Sequence, residues 1–274
     1  NATWVAGLLD VLGEMEMPEY GRTVNAENFL FETQKAVEVD YDKAANRPKS
    51  FLADLGPRLL ERTLDADGET FLQTLEYMVK GLDQKDIQVY MRDNALQKNV
   101  QEMGWAGAMA WTQGDYLMIV DTNLGGGKTD GVIEQRANVD VKIAQDGRIT
   151  NTLTITKTHF GYKGALFEGV NNVDYLRVYV PKGSTLIDAS GFDIPPDTLF
   201  ETPDADWQTD ADIAAAEQSE AVHEPDGTHI TEEFGKTVFG NWMQTRPGES
   251  STVTFTYTLP FTLPALAHQD SAWS

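Results

Sequence analysis

Along this chain the spacing of apolar residues changes once, at about residue 110, from the helical repeat of 3.6 to the strand repeat of 2. No regular element serves both periods, so the chain divides there. Before the change, Trp4, Leu8 and Leu12 recur at helical spacing and end on Gly13. The stretch MEMPEYGRTVN reads as a short connection. Asn25 is placed to cap NAENFLFETQKAV, and Asp93 to cap DNALQKNVQEMG. KSFLADLGPRLLERTL repeats Phe51, Leu52, Leu55, Leu59 and Leu60, with Gly56-Pro57 predicted to kink or split it. DGETFLQTLEYMVKG is a further helix, and IQVYM (87–91) has β character.

After the change, GDYLMIVD, VIEQRANVDVKI, RITNTLTITKTHF, DYLRVYV, STLIDAS, KTVFGNWMQT and STVTFTYTL alternate apolar with polar. Turn signals stand between them at Asp146-Gly147, Pro181-Lys-Gly183 and Pro247-Gly248. Alternation favours an antiparallel sheet with one wet face over a parallel sheet buried on both. The expected fold class is α+β: a mainly helical lobe over 1–110, then an antiparallel, immunoglobulin-like β-sandwich over 111–274. An acidic, small-residue insertion interrupts the sandwich at about 195–228, with a helical turn around DIAAAEQSEAV.

A core is affordable, since 41% of the residues are hydrophobic. The net charge of −22 repels nucleic acid and anionic membrane, so neither is an expected partner. With no cysteine, disulfides, thiolate metal sites and cysteine nucleophiles are excluded. No apolar run reaches the ~18–20 residues that span a bilayer. The first residue is Asn1, not Met, and the sequence reads as internal to a longer precursor.

The most suggestive chemical motif is Asp121-Thr-Asn-Leu-Gly-Gly-Gly-Lys-Thr-Asp-Gly131, directly after YLMIV. Gly127-Lys128-Thr129 fits the end of a phosphate-binding loop, but Thr122 stands where the first glycine belongs. A helix must follow such a loop to present its N-terminus to phosphate. Here a strand-like stretch comes next, so a glycine-rich connection is the better account. Asp121, Asn123 and Asp130 flank the glycines, and Asp204, Asp206, Asp210 and Asp212 crowd the insertion. Either set offers oxygens of the kind Ca²⁺ prefers, against the plainer account of solvated acidic loops. Asp65, Asp67 and Glu69 faintly echo a calcium loop but read better as an acidic helix start. His159, His223, His229 and His268 lack metal spacing, and no Gly-x-Ser-x-Gly elbow is present. No catalytic or cofactor-binding residue is assigned.

Five stretches carry a family resemblance: QKAVEVDYD…RPKSFLADLGPRLLE, QEMGWAGAM, GDYLMIVDTNLGGGKTDG, DYLRVYVPKGS and GKTVFGNWMQTRPGESSTVTFTYTLP. Together they resemble the later part of bacterial proteins of domain-of-unknown-function family 4012. The resemblance implies an exported surface protein, membrane-anchored through an N-terminal helix that this chain lacks, with an α/β portion ahead of the helical lobe. LLDVLGEMEMPEYGRTVNAENFLFETQ…RPKSFLADLGPRLL is also similar in layout to the end of LytR–CpsA–Psr domains, which transfer lipid-linked glycopolymers using arginines around a pyrophosphate. Gln34-Lys35 and Arg47 stand where that layout expects an arginine pair, so no catalytic residue carries over.

The expected function is therefore a non-enzymatic extracellular or cell-envelope module with a structural, adhesion or assembly role. A LytR–CpsA–Psr-like module handling polyprenyl-pyrophosphate glycans is the first alternative, and a calcium-dependent adhesin the second. TLPALAHQDSAWS departs from the family pattern, so the chain reads as a processed fragment. An open sheet edge would then be completed by the rest of the precursor or by a neighbouring surface subunit.

Overall fold

The computed structural model describes residues 1–264 apart from 42, 126, 203, 205 and 219. The chain is α+β and forms two compact units, Asn1–Ala110 and Trp111 onward. The first unit runs α1 (Ala2–Leu12), β1 (Met15–Met17), β2 (Arg22–Val24), α2 (Phe29–Glu38), α3 (Ser50–Leu64), α4 (Gly68–Asp83) and α5 (Asn94–Glu102). Asn1 starts α1 by accepting from the Thr3 amide at 3.1 Å, and Asp93 starts α5 by accepting from Ala95 and Leu96 at 2.9 and 3.0 Å. Trp4 of α1 stacks on Tyr77 of α4, ring centroids 5.5 Å apart. The helices approach so closely because Gly7 lies under Tyr77 and Gly81 under Trp4. Leu9, Met17, Val24, Phe29, Phe51 and Leu55 form the core of this unit.

Four local expectations change here. The stretch MEMPEYGRTVN is a β1–β2 hairpin rather than a plain connection, and it buries Met17 and Val24 completely. Pro57 does not split α3; Phe51 and Leu55, both buried ahead of it, anchor the helix and outweigh the lost hydrogen bond. Asn25 accepts from the Glu27 and Asn28 amides, capping the turn before α2 and not α2 itself. Residues 87–91 form no strand: among the described residues, Ile87 donates to the Gly81 carbonyl and Val89 to the Trp105 carbonyl, and no ladder with a neighbouring strand forms.

The second unit runs β3 (Met118–Val120), β4 (Ile133–Ile143), β5 (Arg148–His159), β6 (Asn172–Pro181), β7 (Thr185–Ser190), α6 (Ala211–Glu217), β8 (Ala221–His223), β9 (Thr228–Glu233), β10 (Lys236–Thr245) and β11 (Ser250–Thr262). Neighbouring strands are antiparallel in a four-stranded sheet, β4-β5-β11-β7, and a five-stranded sheet, β3-β6-β10-β9-β8. Alternation along β5 sends Ile149, Leu153 and Ile155 inward. They share one core with Leu176 and Val178 of β6, Phe239 and Met243 of β10, and Val253, Phe255 and Tyr257 of β11. Phe239 bridges the sheets, its ring centroid 5.7 Å from Tyr257 and 6.4 Å from Phe255. Each such side chain contributes ~1.5–3 kcal/mol by leaving water.

The strand pairing is nested: β5 pairs with β11 while the next strand, β6, pairs with the preceding one, β10. The acidic segment between β7 and β9 holds α6, which Asp210 caps by accepting from the Asp212 and Ile213 amides, and β8, which adds a fifth strand beside β9. Among the described residues no helix is long and apolar enough to cross a membrane.

Candidate functional site

The glycine stretch lies at one end of the two-sheet unit, and its polar neighbours converge there. Residues just after β3 continue alongside β6. Tyr175 donates to the Thr122 carbonyl at 2.9 Å, Leu124 donates to the Val173 carbonyl at 2.8 Å, and Asn123 bridges Asp174. Gly125 and Gly127 then turn the chain with φ of 103° and 59°, which side chains resist. The chain next makes a single short turn over Asp130–Val132 and enters β4. This three-residue 3₁₀ turn is not the α-helix whose N-terminus a phosphate-binding loop needs.

Beneath the loop lies a buried ion cluster. The Lys157 ammonium of β5 sits 2.7 Å from Asp174 Oδ2 of β6 and 2.9 Å from Asp121 Oδ1. Lys157 and Asp174 are 3% and 1% exposed. The Thr122 amide donates to the other Asp174 oxygen, and Gln135 of β4 donates to Asp121 at 3.1 Å. The cluster thus ties both sheets to the loop. Burial raises the Asp174 carboxyl to about 6; the Lys157 charge opposes that rise and the Asp121 charge adds to it.

Beside it, Asn172 donates from Nδ2 to Thr129 Oγ1 and Asp130 Oδ1, both at 3.0 Å. Asn123 donates from Nδ2 to the Gly127 carbonyl, Thr129 Oγ1 and Asp130 Oδ2 at 3.2, 3.1 and 3.4 Å. His159 accepts at Nδ1 from the Gly161 amide at 3.0 Å, so its Nε2 hydrogen goes to the Val170 carbonyl at 3.1 Å. Every named side chain holds a piece of loop in place.

The candidate calcium residues fare unevenly. Asp121 and Asp130 are spent on Lys157, Gln135, Asn172 and Asn123, and Asn123 turns a donor, not an oxygen, towards Asp130. Asp210 is a helix cap, and the Asp204 carbonyl closes a turn with Trp207. Among the described residues, no three His, Asp or Glu side chains converge as a bound cation would need. Asp67 caps α4 by accepting from Thr70 and Glu69, which holds its carboxyl below the usual value. His223 is paired with Asp226 and His229 with Glu220. His268 lies outside the described residues.

Outside the five-stranded sheet lies a cavity of about 930 Å³, floored by Tyr175, Arg177, Val238 and Gly240 and flanked by Ile213 of α6. Several of its charged groups have partners. Glu233 accepts from the Tyr179 hydroxyl at 2.7 Å and lies 3.4 Å from Arg177, while His229 meets Glu220. Burial and the Glu233 bond push the Tyr179 phenol up to about 12. The cavity touches Thr122 but neither Lys157 nor Asp174, so the buried cluster does not open into it.

Sequence reasoning missed Lys157 and Asp174. The signal was present: in NTLTITKTHF the inward phase reads Asn151, Leu153, Ile155, Lys157, His159, and in NVDYLRV it reads Asn172, Asp174, Leu176. A lysine on the core phase of one strand and an aspartate on that of another imply a buried pair. No family model matches the chain, and comparison with curated proteins and with solved structures found no match for it.

Proposed function

We propose that this chain is a non-enzymatic extracellular or cell-envelope module with a structural role in assembly. One observation carries the reading. The outermost strand of the four-stranded sheet, β4, runs eleven residues with no strand on its outer side among the described residues. It also exposes Val139, Val141 and Ile143. A long, partly apolar sheet edge is a template for another strand. The titratable groups that look most like chemistry, Lys157, Asp174, Asp121 and His159, are turned instead to holding the fold. The proposed location outside the membrane rests on the resemblance to surface proteins carried by QEMGWAGAM and GDYLMIVDTNLGGGKTDG.

The immunoglobulin-like subclass enters only in its broad sense, two antiparallel sheets around one core. Immunoglobulin sheets run ABED and CFG, so strands B and C meet E and F in chain order. The nested pairing of β5 with β11 and β6 with β10 is that of a rolled Greek key, as in jelly rolls. Where the glycan-transfer alternative expects an arginine pair, the chain carries Gln34-Lys35 and only Arg47.

Labelling of intact native cells with an antibody against the two-sheet unit tests the location. Surface signal without permeabilisation is expected; signal only after lysis overturns the reading.

A further inference from the structure

We propose that β4 is a homotypic assembly edge: two copies of this chain pair their β4 strands antiparallel about a two-fold axis at Asn138, joining two four-stranded sheets into one. The biological meaning rests on the proposed assembly role; the geometry stands apart from it.

The hydrogen-bonding phase of the edge follows from its two ends. At one end Phe160 donates to the Val132 carbonyl, and at the other Ala144 donates to the Arg148 carbonyl. Residues of an antiparallel pair alternate between bonded and non-bonded positions. Counted from either end, the even-numbered residues of β4 bond β5. The odd ones, Ile133, Gln135, Ala137, Val139, Val141 and Ile143, therefore aim their N–H and C=O groups outward. Their side chains lie on the core-side face, opposite His159, Lys157, Ile155, Leu153, Asn151 and Ile149 of β5. Beyond β5 the core runs out, which leaves Val139, Val141 and Ile143 38%, 52% and 58% exposed.

The charges choose the partner. The even-numbered side chains read Glu134, Arg136, Asn138, Asp140, Lys142. Reversing this order exchanges every sign. A second copy run antiparallel about Asn138 therefore sets Glu134 against Lys142 and Arg136 against Asp140, and each pair occurs twice by symmetry. These are non-hydrogen-bonded positions, where facing side chains come closest. On the other face Ile133 meets Ile143, Gln135 meets Val141 and Ala137 meets Val139, each pair exchanging two main-chain hydrogen bonds. Asn138 is also the midpoint of Ile133–Ile143, so this axis uses the whole strand. Moving the axis to residue 137 sets Glu134 against Asp140, and moving it to 139 sets Arg136 against Lys142; both neighbouring registers are repulsive. Charges placed only to repel other strands would carry no such symmetry.

The test is the solution mass of the full chain by sedimentation equilibrium. Loading at roughly 100 μM exceeds the micromolar range in which small interfaces dissociate. Salt of about 0.15 M screens the repulsion between two acidic molecules beyond ~8 Å. A species near twice 30.4 kDa is expected. Arg136→Asp or Asp140→Arg alone sets like charges opposite and weakens the dimer roughly tenfold; the double swap restores it. Val139→Pro removes an outward N–H, leaves the β5 ladder intact and yields a monomer. A wild-type chain that stays monomeric overturns the proposal and leaves the edge to a strand of a different chain. A dimer unchanged by Val139→Pro, or a double swap that fails to recover it, also overturns the proposal. Surface labelling of cells does not bear on these outcomes, so the two readings fail separately.

Discussion

Replacing Lys157 by methionine removes a buried charge while keeping most of the side-chain volume. The ammonium lies 2.7 Å from Asp174 and 2.9 Å from Asp121, which is 40% exposed and can turn to water. Asp174 is 1% exposed and cannot. Stranding one partner of a buried pair costs about 3–5 kcal/mol at pH 7. The pH dependence is the sharper signature. In the native protein the Asp174 carboxyl stands at about 6 against 3.8 when unfolded. That gap, at ~1.36 kcal/mol per pH unit, makes its ionisation cost the fold about 3 kcal/mol at neutral pH. A raised carboxyl contributes its full stability below 3.8 and loses it as pH rises through 6. Without Lys157 the carboxyl rises further, since the charge opposing its rise is gone. The variant then stays protonated at pH values where the native group has ionised. Its deficit should therefore narrow by about 1 kcal/mol between pH 7 and pH 5. Urea unfolding followed by the fluorescence of Trp242, which lies on β10, measures both values. A deficit below about 1 kcal/mol at pH 7, or one equal at the two pH values, would refute the cluster as a stabilising clasp.

Three further outcomes come from the same structure. Gly81→Ala brings a methyl against Trp4 Nε1 and 2.8 Å from its Cδ1, and the first unit should lose about 1–3 kcal/mol in thermal unfolding; a neutral result would mean α1 and α4 separate easily. Phe239→Ala empties the point where the two sheets meet, and should cost the second unit about 3–5 kcal/mol in urea; a loss under about 1 kcal/mol would refute a shared core. For the adhesin reading, a ligand at 100 times its dissociation constant adds ~2.7 kcal/mol to stability. The melting temperature in excess Ca²⁺ and in chelator is expected to coincide, and a clear rise with Ca²⁺ would revive that reading.

Much of the architecture was legible because most of the longer helices and strands bury one face. The period change at about residue 110 coincides with the division between Ala110 and Trp111. KTVFGNWMQT spans β10 residue for residue. What escaped depends on contacts distant in sequence. Pro57 looks like a break until Phe51 and Leu55 are seen in the core. MEMPEYGRTVN looks like a connection because two three-residue strands are too short to show a period. At the candidate site, the glycines and their flanking Asp121, Asn123 and Asp130 were visible, but Lys157 and Asp174 lie 17 residues apart on strands of different sheets. Their partnership becomes visible only once each strand's inward phase is known.

The nested pairing also sets an order of events during synthesis. The last long strand, β11, lies between β5 and β7 in the four-stranded sheet, and its Ser250 partners Thr158. Until residues near 262 leave the ribosome or a translocation channel, β5 lacks that neighbour and the shared core cannot close. The first unit, which ends at Ala110, emerges much earlier. During that interval the β4–β5 ribbon waits with both edges bare. The β5 side of that ribbon, whose Leu153 and Ile155 are fully buried in the finished fold, then stays open to wrong partners until β11 arrives.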